Sequence, residues 1–362
     1  MTKRKYVNPW ATLFARSLAT MTKRSMRIAN HAVNGAVKSA VKNTIAKRRP
    51  AADEGDWIAG MAIGATGVRR YQLYRPAGVK AGERLPLIVM LHGCQQNAKS
   101  FAGSTRMNRI AERERFIVLY PEQDRISNAQ GCWNWFDAKA GRNHGEAALI
   151  MKAIDQVCLL YPIDRSRVAI AGLSAGASMA ALLVTLRPER FKAIAMHSGV
   201  PPGTARSIVS AAGAMYGRRA TAPLKATPLT MATSWPPLLV IHGVSDHVVA
   251  SSNGRAAAQV WADAAGAHAL KDRRLQRGKR YEYTVTDFKC GSRRVATLIA
   301  VARLGHAWSG GAPNVPFSDA KGPDASRMVW AFAAKQFHAT QDATVTVKRS
   351  NLFKPTAAAS PL

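Results

Sequence analysis

Short apolar runs and longer periodic segments alternate along most of this 362-residue chain. Continuously apolar runs of this length are typical of buried strands, and they occur at 85–93, 116–122, 167–172, 191–199 and 236–246, with a last one near 295–308. Residues 69–76 alternate like a half-buried strand, while 146–161, 175–186 and 326–337 have helical periodicity. Buried strands separated by helices predict an α/β fold with a mostly parallel central sheet flanked by helices.

The first 55 residues have a different pattern and are predicted to form a basic N-terminal arm. Asn8 can cap a helix and Pro9 suits its first position. The apolar residues that follow share one helical face: Trp10, Leu13, Phe14, Leu18 and Met21. A weaker repeat of apolar residues covers 33–45. This pattern fits an interfacial helix, a helix packed on the body of the protein, or a disordered segment. The predicted organisation is therefore an arm (1–55), a catalytic domain (56–340) and a flexible C-terminal tail (341–362).

Charge is concentrated in the same arm. The formal net charge is +31, and residues 1–52 hold twelve lysines and arginines and no acidic residue, so subtracting these twelve leaves +19 for the rest. Such a surplus favours polyanionic partners, and we expect any polyanion contact to involve residues 1–50. Charged residues from Arg16 onward interrupt the only apolar stretch near the start, which predicts no secretory signal and a cytoplasmic protein. No stretch approaches the ~20 apolar residues of a transmembrane segment.

A serine between two glycines ends the run at 167–172. The segment VAIAGLSAGASMA (168–180) reads as a strand, a G-x-S-x-G turn and a helix. This turn holds its serine in strained backbone geometry at the end of the strand, and the flanking glycines remove side chains that would block helix and strand. We therefore expect Ser174 to be a nucleophile at the carboxyl edge of the sheet, where ligands bind in such folds.

A serine needs a base, and the base needs an orienting acid. Asp246 follows the strand at 236–246, and His306 follows the last strand. The order serine, aspartate, histidine is that of an α/β-hydrolase, which predicts a catalytic triad of Ser174, Asp246 and His306. His197 and His242 end strands and are predicted to be structural.

Two backbone amides should stabilise the oxyanion. The amide of Ala175, directly after the nucleophile, is one. The amide of Cys94, in the loop after the strand at 85–93, is the predicted second donor. The thiol of Cys94 could be a small packed group or could bridge to Cys132, and the residues favour neither. With four cysteines and no C-x-x-C pair, the chain predicts neither a disulfide scaffold nor a metal site.

Five segments together resemble the polyhydroxybutyrate (PHB) depolymerase family of esterases: LHGCQQ (91–96), GCWNWF (131–136), GLSAGASMA (172–180), HGVSD (242–246) and LGHAWSGG (304–311). The resemblance spans about 69–337. It implies an α/β-hydrolase fold, the same triad and oxyanion hole, and hydrolysis of short-chain polyhydroxyalkanoate esters. No cofactor is expected, and the partner would be the polymer or its granule surface.

Two tryptophans in these segments are candidates for contact with the substrate. Trp308, beside His306, and more weakly Trp133 are predicted to contact substrate, since flat apolar rings suit a polymer repeat. The family also includes feruloyl and acetylxylan esterases, so an esterase for small soluble esters is the first alternative. The second is a protein that binds granules or nucleic acid through its arm.

Overall fold

The computed structural model describes residues 55–224 and 235–352, with side chains to 339. The strands are β1 (Asp56–Gly64), β2 (Gly67–Arg75), β3 (Leu85–Leu91), β4 (Ile117–Pro121), β5 (Ile163–Leu173), β6 (Ala193–His197), β7 (Leu238–Gly243), β8 (His268–Ala269), β9 (Arg273–Leu275), β10 (Tyr283–Cys290), β11 (Arg293–Val301), β12 (Trp308–Ser309) and β13 (Ser318–Asp319). The helices are α1 (Ala98–Thr105), α2 (Met107–Glu114), α3 (Arg142–Leu160), α4 (Ala175–Leu186), α5 (Ile208–Met215), α6 (Ser252–Ala264) and α7 (Ala325–Leu352).

One eleven-stranded sheet organises the molecule. Its strand order is β1-β2-β4-β3-β5-β6-β7-β11-β10-β8, with β9 also paired to β10. The six central strands, β4 to β11 in that order, are parallel, and the strands at both sides are antiparallel. The carboxyl ends of the six parallel strands therefore share one edge of the sheet, which we call the carboxyl edge. Chemistry in folds of this type is assembled there.

Helices cover both faces of the sheet. On one face α3, α4 and α6 contribute to a core with the odd-numbered residues of β3, and on the other α1, α2 and α7 pack with its even-numbered residues. All seven residues of β3 are buried, as are all five of β4 and of β6. Burial on both faces explains why these strands are continuously apolar rather than alternating. No helix in the described part of the chain is long and apolar enough to cross a bilayer.

The predicted fold class is confirmed, with differences at the margins. Sequence patterns missed β1, which glycines interrupt, and β10, whose polar residues Thr284, Thr286 and Asp287 conceal its alternation. Helix α7 continues to Leu352 because no glycine or proline interrupts it, so the first part of the predicted tail is helical. The predicted arm, apart from its last residue, lies outside the described residues, so its helices and its polyanion contact stay predictions.

Candidate active site

The turn between β5 and α4 has the geometry that G-x-S-x-G predicts. Ser174 adopts φ 56° and ψ −121°, a left-handed backbone conformation that serine rarely takes. A Cβ built on Gly172 would lie 2.4 Å from the carbonyl of Gly176, and one built on Gly176 would lie 2.2 Å from the oxygen of Leu91. Both contacts are impossible for a side chain, so the two glycines let β3, β5 and α4 meet beneath Ser174. The amide of Ser174 donates to the carbonyl of His197 at 2.9 Å, which fixes the turn to β6.

Asp246 and His306 meet at the same edge. Nδ1 of His306 lies 2.8 Å from Oδ2 of Asp246, and both side chains are buried. The other carboxylate oxygen, Oδ1, accepts hydrogen bonds from the amides of Val248 and Val249, each at 2.9 Å. With its carboxylate held at both oxygens, Asp246 can orient only one nitrogen of the His306 ring. The proton of the neutral ring then lies on Nδ1, which leaves Nε2 free to accept one.

The backbones that carry this pair are in direct contact. The amide of Ser245 donates to the carbonyl of Leu304 at 3.0 Å, and the amide of Val244 donates to the carbonyl of Val301 at 2.9 Å. A Cβ on Gly243 would lie 2.2 Å from the oxygen of Leu304. The loop after β7 and the loop after β11 are therefore joined backbone to backbone.

Electrostatics keep Asp246 ionised. Burial raises the pKa of its carboxyl. The charge of His306 and the hydrogen bonds from His306 and Val249 lower this pKa by a larger amount, so that it falls to about 2. A carboxylate that stays charged can stabilise an imidazolium on His306 during proton transfer. Asp263 and Asp287 take no part, since Asp263 accepts from Gln259 and Asp287 pairs with Arg273.

Ser174 and His306 line one small cavity. Its other walls are Gly93, Cys94, Gln96, Leu173, Val248 and Phe317. The structure thus brings the three predicted residues of the triad to one place: His306 contacts Asp246 and lines the same cavity as Ser174.

The two predicted oxyanion donors flank the serine. Cys94 and Ala175 line a common cleft with Ser174. The amides on either side of Cys94 are occupied, because that of Gly93 donates to Oε1 of Gln96 at 3.0 Å and that of Gln95 donates to the carbonyl of Gln130 at 2.8 Å. Among these three amides, that of Cys94 has no acceptor in the described part of the chain.

The cleft has a volume of about 250 Å³. Its apolar walls include Trp135, Phe136, Val200, Ile208, Met215 and Val249, and residues 127–130 form a polar rim. Cys94 and Cys132, which both line the cleft, form a disulfide, which decides between the two alternatives that the sequence left open. Among the described residues that line the cleft, Arg142 is the single charged one, so this lining suits neutral or anionic groups.

A buried polar cluster supports the wall that carries Cys132, and the sequence did not reveal it. Oε1 of Glu146 accepts from Nε2 of Gln123 and from Nδ2 of Asn134, each at 2.6 Å, and Oε2 accepts from the amide of Asn134 at 2.9 Å. Gln123 in turn accepts from Arg69 at 2.5 Å, and the Arg69 guanidinium lies 5.2 Å from the ring of Trp133. In the sequence, the polar residue of N-W-F and the one glutamate of α3 were the features that could have indicated this cluster.

Three buried histidines are structural. Nε2 of His92 accepts from the amide of Gln123 at 3.1 Å, and Nε2 of His197 accepts from the amide of Ser309 at 3.0 Å. Burial lowers the pKa of His92 to about 4 and that of His197 to about 3, and it also lowers the pKa of His242. Nε2 of His242 lies 3.6 Å from Oδ2 of Asp246, and His242 does not line the cavity of Ser174.

The predicted substrate role of Trp308 is wrong. Its side chain is 1% exposed, stacks on His197 at 5.0 Å between ring centroids, and donates through Nε1 to Ser326. It belongs to the core beneath the site because β12 turns it inward. Trp133 does line the cleft, but it is fully buried and its Nε1 donates to the carbonyl of His92, so it is a fixed part of the wall. Trp135, which is 8% exposed, is the more accessible of these rings.

Comparison with known proteins gives a family for this arrangement. Residues 69–275 match the family model described as Esterase PHB depolymerase, a segment that contains Ser174 and Asp246 and ends before His306. The chain is 33% identical over 185 residues to poly(3-hydroxyalkanoate) depolymerase C of Paucimonas lemoignei, a match that covers 49% of this chain and 44% of that protein. The chain thus spans less than half the length of that relative.

Other relatives are named as feruloyl or acetylxylan esterases. Feruloyl esterase B of Neurospora crassa is 28% identical over 219 residues, covering 56% of this chain and 71% of that protein. Among solved structures, an acetyl xylan esterase from Aspergillus awamori superposes with a TM-score of 0.56 and 22% identity, covering 70% of this chain and 94% of its own. This last likeness concerns the fold.

Proposed function

Because the chain belongs to the PHB depolymerase family of esterases, we propose that it is a serine esterase that hydrolyses short-chain polyhydroxyalkanoates such as polyhydroxybutyrate. The observation that carries the proposal is the buried pair of Asp246 and His306, 2.8 Å apart, in which His306 lines the same cavity as Ser174. The similarity to a depolymerase of Paucimonas lemoignei supports the choice of polymer.

The proposed reaction uses groups of this chain and one water. Nε2 of His306 takes the proton of the Ser174 hydroxyl, whose oxygen attacks the ester carbonyl. The resulting oxyanion accepts hydrogen bonds from the amides of Cys94 and Ala175. When the carbon–oxygen bond of the alcohol breaks, His306 returns the proton to the alcohol. Water then attacks the acyl-enzyme by the same steps and releases the acid.

The lining of the cleft supports a neutral polyester as substrate. Esters of hydroxy acids carry no charge along the chain. The described residues that line the cleft include no carboxylate, so they impose no repulsion on the terminal acid group that each cleavage creates. Its volume of about 250 Å³ is just below the ~300–1,000 Å³ usual for ligand pockets, which suits a short stretch of narrow chain.

An esterase for small aryl or acetyl esters is the second candidate. The aromatic wall formed by Trp135 and Phe136 could hold a flat acyl group, and relatives named feruloyl and acetylxylan esterases belong with this function. The two candidates share the triad and differ in substrate alone.

Two measurements test the proposal. Wild-type protein is incubated with amorphous polyhydroxybutyrate granules, and the released hydroxy acids are compared with turnover of p-nitrophenyl butyrate, methyl ferulate and acetylated xylan. We expect the granules to be degraded. Activity on methyl ferulate or acetylated xylan with intact granules would favour the second candidate.

Variants test the catalytic residues. Ser174→Ala should reduce every ester hydrolysis by several orders of magnitude, and Asp246→Asn should cost on the order of 10⁴ in kcat because the ring of His306 loses its orientation. Ser127→Ala, which removes a serine from the rim of the same cleft, and Asp263→Asn are the matched controls and should keep near-normal activity. A folded Ser174→Ala protein with wild-type turnover would refute the assignment.

A further inference from the structure

A row of aliphatic side chains is exposed at the turn between β1 and β2. Met61 is 50% exposed, Ile63 is 68% exposed and Val68 is 45% exposed. Ile63 pairs with Val68 across the two strands, and Met61 pairs with Arg70. Because alternate residues of a strand point to the same face and paired residues share a face, these three side chains form one contiguous group. Isolated apolar residues are common on surfaces, whereas a contiguous group indicates a contact.

The group lies at the carboxyl edge of the sheet. β2 is antiparallel to β4, and Tyr71 pairs with Pro121, the last residue of β4. Residues 67–70 therefore extend past the carboxyl end of β4, as do residues 61–64 of β1, which pair with them. Since β4 is parallel to β3 and β5, this is the edge at which Ser174 follows β5.

One loop separates this group from the cleft. A surface groove is lined by Met61 and Val68 on one side and by residues 122–125 and Gly131 on the other. The next residues of the same loop, 127–130, form the rim of the cleft. Between them Ile126 is 95% exposed. We call Met61, Ile63, Val68 and Ile126 the apolar patch; its last member lies in the loop between the groove and the rim of the cleft.

We propose that the apolar patch is the surface by which this protein adsorbs to a water-insoluble aliphatic polyester, placing chains of that surface at the cleft of Ser174. The proposal rests on the proposed polyester hydrolysis. The side chains are aliphatic, like the polymer, and none is aromatic. The charges around the groove balance, because Arg70 and Arg125 lie beside Glu122 and Asp124, so the patch offers no field that would select a polyanion. Continuity with the cleft makes the polymer the occupant that both surfaces share.

The test uses the full chain with the catalytic serine removed, so that adsorption is measured without hydrolysis. Ser174→Ala protein is compared with the same protein carrying Met61→Thr, Ile63→Thr, Val68→Thr and Ile126→Ser, four exposed positions where polar residues are compatible with the fold. Adsorption isotherms are recorded on crystalline polyhydroxybutyrate particles. We expect the four changes to weaken adsorption at least tenfold, since they remove most of the aliphatic area that would leave water.

The matched control lies at the opposite edge. Leu159→Gln and Leu160→Gln change two exposed leucines at the end of α3, just before the amino end of β5. This variant should adsorb like its parent. In the active enzyme the four patch changes should reduce hydrolysis of the solid polymer in step with adsorption and leave kcat/KM for p-nitrophenyl butyrate within about twofold, because none of the four residues lines the cleft.

Other outcomes overturn the proposal. Unchanged adsorption of the patch variant would do so directly. Loss of adsorption on deletion of residues 1–50, with the patch intact, would assign adsorption to the arm. A dimeric wild type whose patch variant is a monomer with unaltered adsorption would make the patch an interface between copies. If the wild type adsorbs through the patch but releases no hydroxy acid, the polyester activity fails while the docking surface stands.

Discussion

The disulfide between Cys94 and Cys132 is predicted to contribute strongly to stability. The perturbation is the double variant Cys94→Ser, Cys132→Ser, or reduction of the wild type. The bridge joins residues 38 apart in sequence. In the chain-entropy model, closing a loop of this length stabilises the folded state by about 4 kcal/mol at 25 °C, because it removes conformations from the unfolded chain. At an unfolding entropy of about 2.1 cal/mol/K per residue, a chain of 362 residues would lose roughly 5 °C in Tm.

Unfolding in guanidinium chloride, with and without reductant, measures the free energy of unfolding. Cys290→Ser is the matched control, since this exposed cysteine is unpaired and its replacement should leave Tm unchanged. Equal free energies of unfolding for the double variant and the wild type would refute the reasoning. The bridge also fixes the loop of the proposed oxyanion amide to the wall of the cleft, so the variant should lose kcat on a soluble ester even at temperatures where it is folded.

Two further predictions concern buried polar groups. Glu146→Gln should lower the free energy of unfolding by about 2 to 4 kcal/mol, because buried donors lose a charged acceptor. The control Glu189→Gln changes an exposed glutamate and should alter this free energy little. Equal free energies for the Glu146→Gln variant and the wild type in urea unfolding would contradict the role of the cluster. The pKa values of His92 and His197 are about 4 and about 3 in the fold and near 6.5 in the unfolded chain. Protonation of these histidines below pH 6.5 therefore stabilises the unfolded chain, so stability should be fully present above pH 6.5 and should fall as the pH drops from 6.5 to about 3. A Tm that is flat over this range would contradict the lowered pKa values.

The parts of the site that lie directly after strands were predictable from sequence. Ser174, Asp246 and His306 each follow an apolar strand, and topology alone brings the carboxyl ends of such strands together. Periodicity cannot say which way a residue beyond a strand points. Trp308 was misassigned for this reason, because two residues of chain are enough to turn a ring from the cleft into the core.

The support of the cleft was not predictable. Glu146 lies on α3 and reaches Gln123 and Asn134, which come from loops more than ten residues away. A buried carboxylate is recognisable only when its donors are known, and those are set by packing rather than by local pattern. The same holds for Cys94 and Cys132, whose pairing depends on how two loops meet.

The cytoplasmic location stays a prediction, and the disulfide is the observation that weighs against it. Thiols of cytosolic proteins are kept reduced, and bridges persist mainly in oxidising compartments. Mass spectrometry of alkylated protein from cells, with Cys290 as the internal marker of a reactive thiol, would report whether Cys94 and Cys132 are paired where the protein resides.

The contact between the loops after β7 and β11 has a consequence for engineering. The carbonyl of Leu304 accepts from the amide of Ser245 and leaves no room for a side chain on Gly243. The loop that carries Asp246 and the loop that carries His306 are therefore held by direct backbone contact and are not independent. Residues 243–246 and 304–306 are therefore a single cassette. A designer who grafts the histidine loop from a relative, or lengthens either loop to reshape the cleft, would have to transplant both pieces together.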